Sequence, residues 1–227
     1  MSAANAADLL ASPSLLASPS WSGFYAGLGV EGGWGDSDNT TYNIGGPGPV
    51  ISTNVHIDGF LGSARIGFDH QMGSWVVGVI GDFSAGNMNG TGVTLAPGPG
   101  GDFRTEIDYN WLATVRLRGG YLLMPNLLMY AHGGLAVAEI DQSVTRFNVP
   151  PAGRWTQNNS HTSAGWTAGI GTESKITDKI SVGVEWAYID LGESSTTAFP
   201  PGGPPNLRFF GHDNTSNQAK VFANFRF

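Results

Sequence analysis

From Trp21 onward, apolar and polar residues alternate in short runs with a period of two. The clearest run is Tyr109–Tyr121. Trp111, Ala113, Val115, Leu117 and Tyr121 share one face with Gly119, and Asn110, Thr114, Arg116, Arg118 and Gly120 share the other. Leu112 is the one apolar intruder on the polar face. Successive side chains of a strand point to opposite faces, so this period predicts a strand.

Seven further segments repeat the pattern. Trp21–Gly35 sets Phe24, Ala26, Leu28, Val30 and Trp34 against Tyr25, Glu31 and glycines. Gly59–Gln71 sets Phe60, Ala64, Ile66 and Phe68 against Ser63, Arg65 and Asp69. Trp75–Gly86 sets Trp75, Val77, Val79 and Phe83 against Gly78, Asp82 and Ser84. Leu127–Ile140 sets Met129, Ala131, Leu135 and Val137 against Tyr130, His132, Gly134 and Ala136. Ser163–Thr177 opposes Trp166, Ile170 and Ile176 to Thr167, Glu173 and Lys175, and Lys179–Leu191 opposes Val182, Val184 and Trp186 to Ser181, Gly183 and Glu185. Asn217–Phe227 opposes Val221, Phe225 and Phe227 to Lys220, Asn224 and Arg226. Each segment is long enough to cross a bilayer at a tilt.

The connections alternate in length. Short turns are predicted at Met72–Ser74, Met124–Asn126 and Thr177–Asp178; long loops are predicted over Asp36–Asp58, Asn87–Thr105, Asp141–Thr162 and Gly192–Ser216. The long ones carry Gly/Pro clusters, which resist regular structure. The expected fold is therefore all-β: an eight-stranded antiparallel up-and-down transmembrane barrel with four long external loops and three short periplasmic turns.

Alternation alone also fits a soluble barrel of the lipocalin sort. Composition separates the two. Charged residues make up 13% of the chain, about half the usual quarter. No run of about eighteen apolar residues offers a membrane helix, so any crossing must use strands. The polar faces carry small residues and a nearly balanced charge set: Arg65, Arg116, Arg118, Lys175, Lys220 and Arg226 against Glu31, Asp69, Asp82, Glu173 and Glu185. A closed lumen requires such pairing, because an isolated buried charge is strongly unfavourable. Trp21, Trp34, Trp75, Trp111, Tyr121, Trp166, Trp186 and Phe227 lie near the ends of the apolar faces, as interfacial girdles do. The net charge of −7 gives no basic footprint for nucleic acid. With no cysteine, disulfides, thiolate metal sites and thiol catalysis are excluded.

Trp21-Ser22-Gly23-Phe24-Tyr25-Ala26-Gly27, the hairpin of Gly59–Gly73 with Trp75–Ser84, Trp111–Tyr121 with Tyr130–Gly134, and the terminal Val221–Phe227 together carry a resemblance. The set resembles the small porin-like outer-membrane β-barrels of alphaproteobacteria, surface antigens similar to the OmpA membrane domain. It covers nearly all of Trp21–Phe227. Ile80 departs from it, standing where the family often has an acid. The resemblance implies a bacterial outer-membrane location, with lipid, lipopolysaccharide and the barrel assembly machinery as partners. It implies that Phe225 and Phe227 belong to the C-terminal assembly signal. It also implies that a mature N-terminus beginning Ala-Asp can be joined covalently to peptidoglycan.

Residues 1–20 read as processing and tail material, and 21–227 as the barrel. Ala4-Asn5-Ala6 has the small-x-small form of a cleavage site, which would leave Ala7 and Asp8 as the new terminus; an alanine-rich tail is the plainer alternative. The duplicated Leu9–Ser14 and Leu15–Ser20, each LLASPS, favour an extended tether or record a sequence slippage. Gly27–Gly32 matches the dinucleotide glycine pattern literally, but within a strand and with no helix following. Asn-x-Ser/Thr triplets begin at Asn39, Asn89, Asn158 and Asn214, one in each expected loop. The five histidines lack metal-ligand spacing, so no cofactor, metal or catalytic residue is expected. The expected function is that of a surface and structural protein whose loop ligand is unknown. The alternative is a narrow porin, and a remote one is a lipid A-modifying enzyme.

Overall fold

The computed structural model describes residues 20–43, 51–95, 102–147, 154–198 and 208–227. The tail with Ala7 and Asp8 lies outside the described residues. Eight strands follow in order: β1 Gly23–Asn43, β2 Ile51–Met72, β3 Trp75–Thr94, β4 Asp102–Met124, β5 Leu127–Phe147, β6 Trp155–Lys175, β7 Ile180–Ala198 and β8 Arg208–Arg226. Each pairs antiparallel with its neighbour, and β1 pairs with β8 to close the barrel. The three short turns fall where alternation breaks, between β2 and β3, β4 and β5, and β6 and β7.

The strands are longer than alternation suggests. They run 19 to 23 residues, about twice the roughly 9–11 that cross a bilayer. The four connections expected to be long loops are therefore largely strand. Asn89, Asn158 and Asn214 lie within strands, and Asn214 is buried, accepting a hydrogen bond from Ser37 Oγ at 3.0 Å.

The physical reason is an inversion of the pattern. Near the short turns the wall is apolar outside and polar inside. On β4, Val115 and Leu117 face out while Arg116 and Arg118 are buried inside. Further up the same strand, Ile107, Tyr109 and Leu112 are buried inside and Asp108 and Asn110 are exposed outside. On β2 the sense changes between Phe60, outside, and Leu61, inside; above it Val55 and Ile57 point in while His56 and Asp58 point out. On β2, β4 and β5 the lower half turns its apolar face outward and the upper half turns it inward. The outward carboxylates Asp36, Asp58, Asp108 and Asp141 mark the upper limit of the lipid-facing belt.

Seven of the eight proposed girdle aromatics face outward. Trp21 does not: it is fully buried. It precedes the first paired residue of β1, so strand parity does not govern it, and it turns under the barrel. Its indole N–H donates to the Pro125 carbonyl at 3.1 Å, and its backbone N–H donates to Gln71 Oε1 at 2.8 Å.

Candidate functional site

Three storeys fill the lumen. The lowest is an apolar cap of Trp21, Val76, Leu128, Tyr130 and Phe222. The middle is ionic. The top is an apolar core containing Leu61, Met88, Tyr109, Leu112, Ile140 and Ile189.

The ionic storey has two centres. In the lower one, Arg118 binds Asp69 through Nη2 and, from Nε, at 2.8 Å. Its Nη1 reaches Glu173 Oε2 at 2.8 Å. Arg226 Nη2 donates to the same Asp69 at 2.8 Å. Glu173 Oε1 also accepts from Ser181 Oγ at 2.5 Å and from Asn224 Nδ2 at 3.0 Å. In the upper centre, Arg65 donates to Asp82 Oδ1 and to Glu185 Oε2, each at 3.1 Å. Arg116 bridges the same two acids through Nη2 and Nη1. Lys220 Nζ donates to Asp82 Oδ1 at 3.0 Å. It also lies 2.8 Å from Glu31 Oε2, in an orientation that makes an ion pair rather than a hydrogen bond.

Ten of the eleven residues singled out on charge pattern thus meet in carboxylate–cation contacts. Lys175 stands apart at the short-turn end, where Nζ donates to the Ser20 carbonyl and lies 5.2 Å from the centre of the Trp21 ring. Ile80 is fully buried and sits opposite Arg116 in the β3–β4 register, so an apolar side chain fills this place in the lumen.

Neutral side chains complete the network, and charge counting overlooks them. Tyr130 OH donates to Glu185 Oε2 at 2.9 Å, and His132 Nδ1 lies 3.2 Å from Arg116 Nη1. Both are on the polar face of β5, so parity places them correctly; their type alone does not announce a partner. Arg118 is held between the rings of Tyr25 and Tyr130, at 5.1 and 5.0 Å, and Arg65 lies 4.1 Å from the ring of Phe222. Gly171 makes room for Tyr130, since a methyl there would lie 2.6 Å from the ring.

Arginines and acids of this kind could serve catalysis or packing. Here each charged group of the two ionic centres is paired with an opposite charge, and hydrogen bonds satisfy most of their donors and acceptors, though not Glu31 or single nitrogens of Arg65, Arg116 and Arg226; such pairing is what makes burial tolerable. Two gaps in the lumen among the described residues are about 10 Å³ each, one beside the upper ionic centre and one within the apolar storey. Each is at the lower limit for a single water molecule. On the outer wall above the belt, His56 Nδ1 and Asp36 Oδ1 make an exposed pair at 3.2 Å, a contact of little energetic weight in water.

A family model for the outer membrane protein β-barrel domain matches residues 2–227. The chain is 32% identical over 179 residues to the 31 kDa outer-membrane immunogenic protein of Brucella melitensis biotype 1, spanning 77% of this chain and 72% of that protein. It is likewise 32% identical over 173 residues to the 22 kDa outer membrane protein of Rhizobium leguminosarum bv. viciae, spanning 75% and 64%. Among solved structures, the outer membrane protein OprG from Pseudomonas aeruginosa shares the fold with a TM-score of 0.57 at 14% identity, over 91% of this chain and 96% of that one.

Proposed function

Because the chain belongs to the outer membrane protein β-barrel domain family, and so resides in the bacterial outer membrane, we propose that it acts there as a structural surface protein with a closed, non-conducting lumen. The observation that carries this reading is the packed interior. An eight-stranded barrel is just wide enough for side chains to fill, and here a salt-bridged storey lies against an apolar one, with gaps of only about 10 Å³ beside the first and within the second. Ion or solute flow would require breaking several buried charge pairs at once. Planar-bilayer recording on the purified protein tests the point: baseline current with brief small events is expected. Large steady channels would replace this reading with that of a diffusion porin for small solutes.

The surface role rests on the upper half of the barrel, where polar residues such as His56, Asp108 and Asn110 face outward beyond the lipid belt. The immunogenic relative from Brucella supports the same assignment. No enzymatic activity is proposed, since the buried arginines and acids are committed to one another.

The periplasmic end supplies the second half of the proposal. The start of β1 and the end of β8 lie on the short-turn side, and Ala7-Asp8 precede Ser20 in sequence. Cleavage after Ala6 and linkage of Ala7 to peptidoglycan would tie the barrel to the cell wall, with the LLASPS repeat as spacer. Mass spectrometry of muropeptides from native sacculi should find an Ala7-linked fragment; its absence would remove the tether and leave the barrel's anchoring role.

A further inference from the structure

The outer wall is hollowed in its lower half. The hollow holds about 380 Å³ and is lined by Ile170 and Thr172 of β6, Val184 and Trp186 of β7, and Ala219 and Val221 of β8. Register explains it. β6 and β7 pair from Trp166↔Asp190 down to Lys175↔Ser181. One outward row is Ile170, Trp186 and Ala219, the next is Thr172, Val184 and Val221, and the one below is Ser174, Val182 and Ala223. Short side chains therefore flank β7 on both sides, Thr172 and Ser174 on β6 and Ala219 and Ala223 on β8. Beside them Trp186 and Ile170 stand out from the wall, each about half exposed. The hollow lies below the carboxylates that mark the upper limit of the belt, so hydrocarbon meets it.

A cation stands at the foot of the same strand. Lys179 precedes β7 in a turn that is well held. Ile176 N–H donates to the Ile180 carbonyl at 2.9 Å, Ile180 N–H to Thr177 Oγ1 at 2.9 Å, and Arg226 N–H to the Lys179 carbonyl at 2.7 Å. Lys179 Nζ lies 5.9 Å from the centre of the outward Phe225 ring, which puts the ammonium on the outer face of the β7–β8 seam. Among the described residues it is the one exposed lysine or arginine of the lower half; Arg65, Arg116, Arg118, Lys175, Lys220 and Arg226 are all buried. The neighbouring Asp178 is also within electrostatic reach of Lys175, so it does not cancel Lys179 alone. Val184 is five positions on from Lys179. At about 3.3 Å per residue the two are roughly 16 Å apart, close to the hydrocarbon depth of one leaflet, about 15 Å.

We propose that this stretch of wall retains one phospholipid of the periplasmic leaflet, with its phosphate on Lys179 and one acyl chain lying along β7 into the hollow beside Trp186. Bulk lipid is as apolar as the wall, so hydrophobic burial does not select the site. Retention comes from van der Waals contact with fixed side chains and from phosphate–ammonium attraction at the interface. A second barrel would bring a convex wall, which a hollow of this size does not match over the roughly 800 Å² that a stable interface needs from each partner. Lipopolysaccharide belongs to the opposite leaflet, where its phosphates lie at the far end of the belt from Lys179.

This inference rests on the function proposed above only in placing the short turns on the periplasmic side. The test uses the full chain in nonionic detergent with dioleoyl phosphatidylglycerol as probe and reads bound lipid by native mass spectrometry. Dioleoylglycerol, with the same chains and no phosphate, is the control. The chain should keep one phosphatidylglycerol at collision energies that strip the remainder, and should not keep dioleoylglycerol. Thr172→Phe/Ala219→Phe fills the hollow and should lower the retained fraction by about tenfold. Lys179→Glu should lower it by about fivefold. Val115→Phe, a lipid-facing change on β4, should leave it unchanged. The heat-modifiable gel shift shows that each variant is folded. Several equivalent lipids or none on the starting protein, equal retention of dioleoylglycerol, tighter retention of lipid A, a lipid-free dimer, or a filled hollow that keeps its lipid would overturn the proposal. Conductance and peptidoglycan linkage do not enter this readout, so failure of the function proposed above would leave it interpretable.

Discussion

The lower and upper halves of this barrel solve one problem in opposite ways. Below, Arg65, Arg116, Arg118, Asp69, Asp82, Glu173 and Glu185 fill the lumen and apolar residues meet lipid. Above, Leu61, Met88, Tyr109, Leu112, Ile140 and Ile189 fill it and carboxylates meet water. The difference lies in the driving force. Where lipid surrounds the wall, burying apolar side chains in the lumen gains little over leaving them outside, so the apolar set faces out and the lumen is left to polar groups that must satisfy one another. Where water surrounds the wall, the hydrophobic effect returns and draws the apolar set inside.

The comparison breaks most sharply at Arg118. Arg118→Ala leaves Asp69 and Glu173 without their main partner and should cost about 3–5 kcal/mol, the range for half of a buried pair. Urea unfolding from detergent or liposomes measures it. Exchanging the whole lower centre for apolar residues of similar volume should cost far less, since burial of the intact pair is itself expensive.

In the upper half, packing should outweigh every other contribution. Ile140→Ala removes a buried side chain from the apolar storey and should cost about 2–5 kcal/mol. Because no charge is involved, its cost should be insensitive to salt and to pH between about 5 and 8. A strong salt dependence at this position would break the distinction between the storeys.

The outer wall gives a third measure. Leu117→Arg, in the lipid belt, should cost about 2–4 kcal/mol, whereas Asp108→Arg, on the same strand above the belt, should stay within about 0.5 kcal/mol. Equal costs would mean that the belt ends elsewhere.

The smallest effect is expected at Asp141, outside the belt. Hydrogen bonds from Ser160 and Asn110 hold its carboxyl below the usual range. A depressed folded pKa adds stability above the unfolded value and loses it as pH falls through the folded one. Asn110→Ala should raise the Asp141 pKa in an NMR titration and leave the unfolding midpoint nearly unchanged.

Much of this is legible in order along the chain. The strand count, the turns and the inward parity of Arg116, Arg118, Glu173 and Glu185 follow from local alternation. The upper halves escape a local reading because Val55, His56, Ile57 and Asp58 continue the alternation in inverted phase, beside Gly/Pro clusters that suggest loop. Trp21 passes for a girdle aromatic because its composition suits an interface while its position precedes the first strand pair.

By itself, then, the sequence determined the lower wall: how many strands there are, where they turn, and which of their faces point in. Period two is a property of a single strand and needs no partner to be seen. The tertiary structure alone decided the rest. That Arg118 takes Asp69 and Glu173 while Arg116 takes Asp82 and Glu185 depends on the stagger of neighbouring strands around the closed ring. So does the point where β6 parts from β7. Register accumulates across every seam of a barrel, so no stretch of the chain contains that information alone.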